Sequence, residues 1–259
     1  MIGYLNRKLI FKGILTMIGR LFDTNTSGVC KIVDYTNSEN VEVEFLVTGY
    51  VAICTIDNLK RGKVKDYLKP SVYGVGVLGK SFDKSSCDRE LYTLWRNMLK
   101  RCYSEGQHVE QPTYKDCVVL DNFKNFQYFS KWCNNQIGFK QNGYQLDKDI
   151  LVKGNKVYSE DVCVFVPKEL NLLLVSRQLH RGDSPVGVNY HKRRKQYRAR
   201  CNKGGISIHL GWFSDENSAF QTYKQVKEAH IKEVANQWKD QIDPRVYTAL
   251  MTYQVEITD

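Results

Sequence analysis

The sequence predicts an α+β chain of more than one domain, and three observations predict it. Short alternating segments separated by Asn, Ser and Gly crowd the N-terminal quarter, and a second alternating set fills residues 187–213. Between them the apolar residues recur at three-to-four spacing, and after Phe213 the pattern switches from period two to a helical period. At 259 residues there is room for two or three small domains, each with its own core. The expected order is an N-terminal small β-barrel over residues 17–69, a central α+β domain over 87–176, and a C-terminal three-stranded antiparallel sheet packed on one helix over 184–238.

The first module rests on Gly28 to Tyr35, Val41 to Leu46 and Val51 to Ile56, which alternate or run apolar between turn residues. Three or four strands of this size predict a small barrel. Lys60, Arg61, Lys63 and Lys65 follow as a basic run, read either as a solvated loop or as a contact to phosphate. Pro70 to Gly79 reads as a linker, with Gly74, Gly76 and Gly79. The spacing of those three glycines spells a dinucleotide loop, but no strand-helix-strand context surrounds it.

The central region predicts two aromatic-rich helices. Leu91, Leu94, Trp95, Met98, Leu99 and Cys102 fall on one helical face, and Phe123, Phe126, Phe129, Trp132 and Cys133 on another.

The most informative stretch is Gly187 to Phe213, with seven Lys and Arg and no acid. In Tyr197-Arg198-Ala199-Arg200-Cys201, alternation sends Tyr197, Ala199 and Cys201 to the core and Arg198 and Arg200 to the other face. Asn189 and His191 oppose Val188 and Tyr190. Ser207 to Leu210 is expected to bury Ile208 and Leu210 and expose His209, with Asn202 to Gly205 as the hairpin turn. A helix then starts with Ser214 as N-cap, and Ala219, Phe220, Tyr223, Val226, Lys227 and His230 recur along it. A sheet face with one sign of charge is suited to nucleic acid.

Composition points the same way. There are 38 Lys and Arg against 28 Asp and Glu, a formal charge of +10, which favours polyanions. No apolar run reaches the length of a membrane span, so no membrane partner is expected, and Arg7, Lys8, Lys12 and Arg20 interrupt the apolar N-terminus. The eight cysteines are scattered without a Cys-x-x-Cys pair or a nearby His at ligand spacing, so they predict reduced thiols in a cytoplasm and no structural zinc.

Two resemblances add to this. Gly187-Val188, Tyr197-Arg198-Ala199, His209-Leu210-Gly211-Trp212-Phe213 and Ala219 with Tyr223 resemble the APETALA-type domain of plant ethylene-response factors, which also occurs in phage and homing-endonuclease proteins. The resemblance implies a sheet that enters the major groove of double-stranded DNA. Asn189, His191, Arg193, Arg194, Lys195, Arg198, Arg200 and His209 would be the contact residues. His209 stands where the plant proteins usually carry tryptophan, so base preference does not transfer.

The second resemblance joins Tyr92, Trp95, Met98 and Arg101-Cys102-Tyr103 to Leu146-Asp147-Lys148-Asp149-Ile150, Asn155 to Ser159, Phe165-Val166-Pro167 and Asn171. This pattern resembles the phage branch of the His-Asn-His (HNH) endonucleases, whose ββα-metal site holds Mg²⁺ or another divalent cation. By position Asp147, Lys148 and Asp149 would be catalytic, and Asp147 and Asn171 would hold the metal. Lys148 occupies the place of the base histidine, and an unperturbed lysine is almost wholly protonated near neutral pH. Two explanations stay open: a nuclease fold kept only for DNA binding, or metal-bound water acidified without a histidine. The short segment before it is similar to a barrel module found ahead of nuclease-like domains in phage proteins, by Phe45 to Tyr50 and Asn58-Leu59.

Overall fold

A computed structural model describes residues 17–174, 184–257 and 259. It is a mixed α/β protein with several antiparallel sheets, and it divides into two compact units, Met1–Lys131 and Trp132–Asp259. The stretch expected as a central domain, 87–176, therefore contributes to both.

In the first unit, β1 (Leu21–Thr24), β2 (Gly28–Asn37), β3 (Asn40–Phe45) and β4 (Val51–Cys54) form an antiparallel meander in that order. Alternation buries Cys30, Ile32, Val41, Val43 and Phe45 on one face. Leu59 of α1 (Ile56–Lys60), capped by Thr55, and Val64 close that core. Among the described residues β1 and β4 are the sheet's edges and do not pair, so the expected barrel is instead an open sheet. Beyond α1, Lys63 and Lys65 point outward while Val64 and Asp66 are buried. Asp66 accepts from the Thr48 hydroxyl at 2.6 Å and from the amides of Leu68 and Lys69, which ties this segment to the sheet.

The expected linker is packed structure. Leu78 and Gly79 donate their amides to Tyr67, and a Cβ on Gly76 would collide with Trp95 and Leu99. A run of ring contacts, Phe45–Tyr50–Tyr67–Phe82–Phe126, carries the sheet's core across to α2 (Arg89–Tyr103). Asp88 caps α2, whose Leu91, Trp95, Met98, Leu99 and Cys102 are buried as their spacing predicts. α3 (Glu105–Glu110) and a 3₁₀ turn (Pro112–Tyr114) lead to β5 (Val118–Val119). The second aromatic face is split between α4 (Asp121–Lys124) and α5 (Phe126–Asn134). Asn125 interrupts them because its Oδ1 accepts from the amides of Gln127 and Tyr128, giving the backbone a cap in place of a continuous helix.

In the second unit β6 (Tyr144–Asp147) pairs antiparallel with β8 (Val164–Pro167), β7 (Val157–Tyr158) lies between them in sequence, and α6 (Lys168–Leu173) follows. The C-terminal sheet is β9 (Val188–His191), β10 (Gln196–Lys203) and β11 (Ile206–Phe213), with β10 central. It packs on α7 (Glu216–Trp238) through Val188, Ala199, Cys201, Ala219, Phe220, Tyr223 and Ile231. Asp215, not Ser214, is the N-cap of α7: its carboxylate accepts from Ser218 N at 2.8 Å. Gly187, at φ 75°, sits so close to the Tyr223 ring that a Cβ there would lie 2.1 Å from it. α8 (Pro244–Met251) adds Val246 and Leu250, and Ile150, Val164, Val166 and Leu170 from the β6–α6 region join the same core.

Six of the eight cysteines are buried. Burial pushes the Cys30 thiol up to about 11 and raises Cys133 further, so both behave as small apolar groups. No helix among the described residues is long and apolar enough to cross a membrane.

Candidate nucleic-acid interface

The outer face of the C-terminal sheet is assembled by register. Arg198 lies opposite Asn189 on β9 and Trp212 on β11, Gln196 lies opposite His191, and Arg200 lies opposite His209. Cross-strand partners share a face, so these seven side chains form one surface, with Val188, Ala199 and Cys201 beneath it in the core. Arg200 Nη2 donates to Asn189 Oδ1 at 3.2 Å. The remaining expected residues, Arg193, Arg194 and Lys195, are exposed on the β9–β10 turn. That turn is closed by Arg194 N, which donates to the His191 carbonyl at 3.1 Å, and Lys195 adopts a left-handed φ of 53°.

Trp212 is at the centre of this surface. The rings of His191 and His209 lie 5.2 and 5.5 Å from its ring, and the guanidiniums of Arg194 and Arg198 sit 4.7 and 5.7 Å from its centroid. Strict alternation from His209 would bury Trp212. A bulge opposite Ala199 and Arg200 adds one residue to β11, and Gly211 at φ 142° accommodates it, so parity reverses and Trp212 turns outward. The glycine inside an alternating strand was the one sequence signal of that reversal. Ile208 does face the side of Cys201 as expected, but it is 39% exposed and Ile206 is 71% exposed, because the hairpin tip carries both past the covered part of the sheet.

Among the described residues Arg193, Arg194, Lys195, Arg198 and Arg200 have no carboxylate partner, whereas Lys203, on the core-facing register, reaches Glu233 at 3.8 Å. Charges of one sign stand together here without internal neutralisation. The arrangement offers multiple donors and aromatic edges to an acceptor-rich polyanion.

No family model matches the chain, and no curated protein and no solved structure matches it either.

The loop after β6 has a different character. Asp147 is buried, and its Oδ1 accepts from the amides of Asp149 at 2.9 Å and Ile150 at 2.7 Å, so it shapes the turn. Burial, and then the charge of Asp149, push its carboxyl up to about 6 against the lowering effect of those two amides. Lys148 is buried too, with Nζ donating to the Asn155 carbonyl at 2.7 Å and to Asp149 Oδ2 at 3.0 Å. Asn155 returns its amide to the carbonyls of Lys148 and Val157 and accepts from Val157 N. Asn171, on α6, donates to Gln145 Oε1 at 3.0 Å, two residues before Asp147 on β6. Asp147 Oδ1 holds two amides and Asn171 donates through its Nδ2 to Gln145, and among the described residues no three His, Cys, Asp or Glu side chains gather as a metal-binding group.

Proposed function

We propose that the chain is a double-stranded-DNA-binding protein whose contact surface is the outer face of β9–β11 with the β9–β10 turn. The observation that carries this reading is that Arg193, Arg194, Lys195, Arg198 and Arg200 have no carboxylate partner among the described residues, with Arg194 and Arg198 set against the Trp212 ring. A flat cationic strand face suits the major groove of B-form DNA, which admits β-structure, better than the deep and narrow major groove of an RNA helix. Eight scattered cysteines without a Cys-x-x-Cys pair, six of them buried, suit a reducing cytoplasm.

Fluorescence anisotropy with short duplexes across a salt series tests it. Arg198→Ala with Arg200→Ala is expected to cost on the order of 2 kcal/mol of DNA-duplex affinity or more at moderate salt, and to make the salt dependence shallower. Unchanged affinity, or an RNA duplex that competes as well as DNA, refutes the assignment.

Binding without cleavage is the form of this proposal that the β6 loop favours, because Lys148, Asp149 and Asn155 are committed to one another. The resemblance to phage-type HNH homing endonucleases is then one of fold pattern, with a regulatory or architectural role on DNA. Supercoiled plasmid incubated with Mg²⁺ or Mn²⁺ is expected to stay intact with wild type and with Asp147→Ala/Asp149→Ala alike. Nicking by the wild type that this double variant abolishes would establish an active nuclease instead.

A further inference from the structure

Two of the interface cations meet at one aromatic ring instead of at a carboxylate. Arg194 comes from the β9–β10 turn and Arg198 from the central strand, yet both guanidiniums lie within 6 Å of the Trp212 centroid, at 4.7 and 5.7 Å. His191 and His209 approach the same indole at 5.2 and 5.5 Å, so Trp212 is held in place. Arg198 Nε is fully covered and has no hydrogen-bond partner among the described residues. A guanidinium that buries Nε against its own protein can meet a ligand only through its outer Nη edge, a fork that matches two neighbouring acceptor oxygens or nitrogens.

From this geometry we infer that Trp212 is the positioning residue of the interface. Its indole orders Arg194 and Arg198 by stacking and so replaces the carboxylate that would otherwise order them. A carboxylate would neutralise the arginines it aligned, whereas an aromatic face aligns them and leaves their charge and their terminal donors available. Ordering in advance also removes part of the side-chain entropy that two long cations lose on binding. This inference rests on the proposed DNA-binding surface and names the residue through which that surface is organised.

The test is a mutant cycle on the full chain, with a labelled random-sequence DNA duplex as probe and affinity measured across salt. Trp212→Ala is expected to weaken binding about tenfold at moderate salt and to make the slope of log K against log salt shallower by about one to two, as two phosphate contacts become disordered. Trp212→Phe keeps a ring and should bind within about threefold of wild type, while Trp212→Leu keeps apolar bulk without a ring and should behave as Trp212→Ala. Adding Trp212→Ala to Arg194→Ala/Arg198→Ala should cost less than about a further twofold, because the platform has nothing left to position.

A wild-type slope in Trp212→Ala, equal losses in the Phe and Leu variants, or losses that multiply in the triple variant would each overturn the positioning role. Thermal melting of the Phe and Leu variants guards against a folding defect. If the wild type itself fails to bind the duplex, the proposed function falls; if it binds and the cycle multiplies, only the role of Trp212 falls.

Discussion

Two polar regions of the second unit differ in where their hydrogen bonds and charges go. In the loop after β6, Asp147, Lys148, Asp149 and Asn155 meet one another's needs: each buried group has a partner a few residues away. On the outer face of β9–β11 and its first turn, five cations have no acidic partner among the described residues, and two of them, Arg194 and Arg198, lie against an aromatic ring. The first pattern is what stability demands of buried polar groups, since an unpaired one costs about 1–3 kcal/mol. The second brings the fold little or nothing, because exposed like charges repel. A region that adds little to stability and keeps its charges unneutralised is the better candidate for meeting a partner.

Mutations should break this comparison along the same line. The largest effect is expected from Asn155→Ala, which strips partners from the Lys148 and Val157 carbonyls and the Val157 amide. Denaturant melts should show a loss of roughly 2–3 kcal/mol with duplex affinity unchanged, and a binding defect in a folded Asn155→Ala protein would mean that the loop touches DNA.

Next comes Asp147→Asn, which keeps an oxygen for the Asp149 and Ile150 amides but removes the buried charge. The wild-type carboxyl titrates higher folded, near 6, than unfolded, near 4, so the folded state binds the extra proton. That contribution is complete below about pH 4 and disappears as pH rises through about 6. Thermal melts from acid to neutral pH should therefore find the variant gaining on wild type across this window, by about 2–3 kcal/mol at neutral pH. A constant gap between the two proteins would disprove the titration.

Arg200→Ala sharpens the other side. Its melting should stay within about 0.5 kcal/mol of wild type, while anisotropy should record a loss of roughly 1–1.5 kcal/mol in duplex binding. The smallest effect is expected at Lys195, where glycine would relax the left-handed φ and raise stability by about 0.5–1 kcal/mol at the cost of one cation and a slightly shallower salt dependence.

Much of this was legible because it is local. The alternation of Tyr197 to Cys201 located β10 and sorted its faces, the spacing of Leu91 to Cys102 located α2, and the single-sign charge of residues 187–213 marked the face proposed to meet DNA. What escaped depends on an extra residue or on distant contacts. Counting by twos past Gly211 puts Trp212 in the core, because one bulged residue reverses every later side chain on the strand. The helix expected through Phe123 to Cys133 ignored the competing cap at Asn125. Glycines 74 to 79 spelled a linker, and only Trp95 and Leu99 packed against Gly76 and the Tyr67 carbonyl that accepts from Leu78 and Gly79 make that segment part of a core. Lys148 could be recognised as an unsuitable base from its residue type alone. That it is tied to Asn155 and Asp149 required the folded loop.

The core beneath the interface has a practical consequence. Ile150, Val164, Val166 and Leu170 lie in one apolar cluster with Val188, Ala199 and the buried face of α7, so the part that would touch DNA does not coincide with a part that can be cut out. A fragment beginning near residue 184 would lose one wall of its interior and leave α7 with a bare greasy flank, an invitation to self-association. Minimal DNA-binding fragments of this chain should accordingly begin before β6, and fusions or truncations that respect the sheet but not its floor should precipitate.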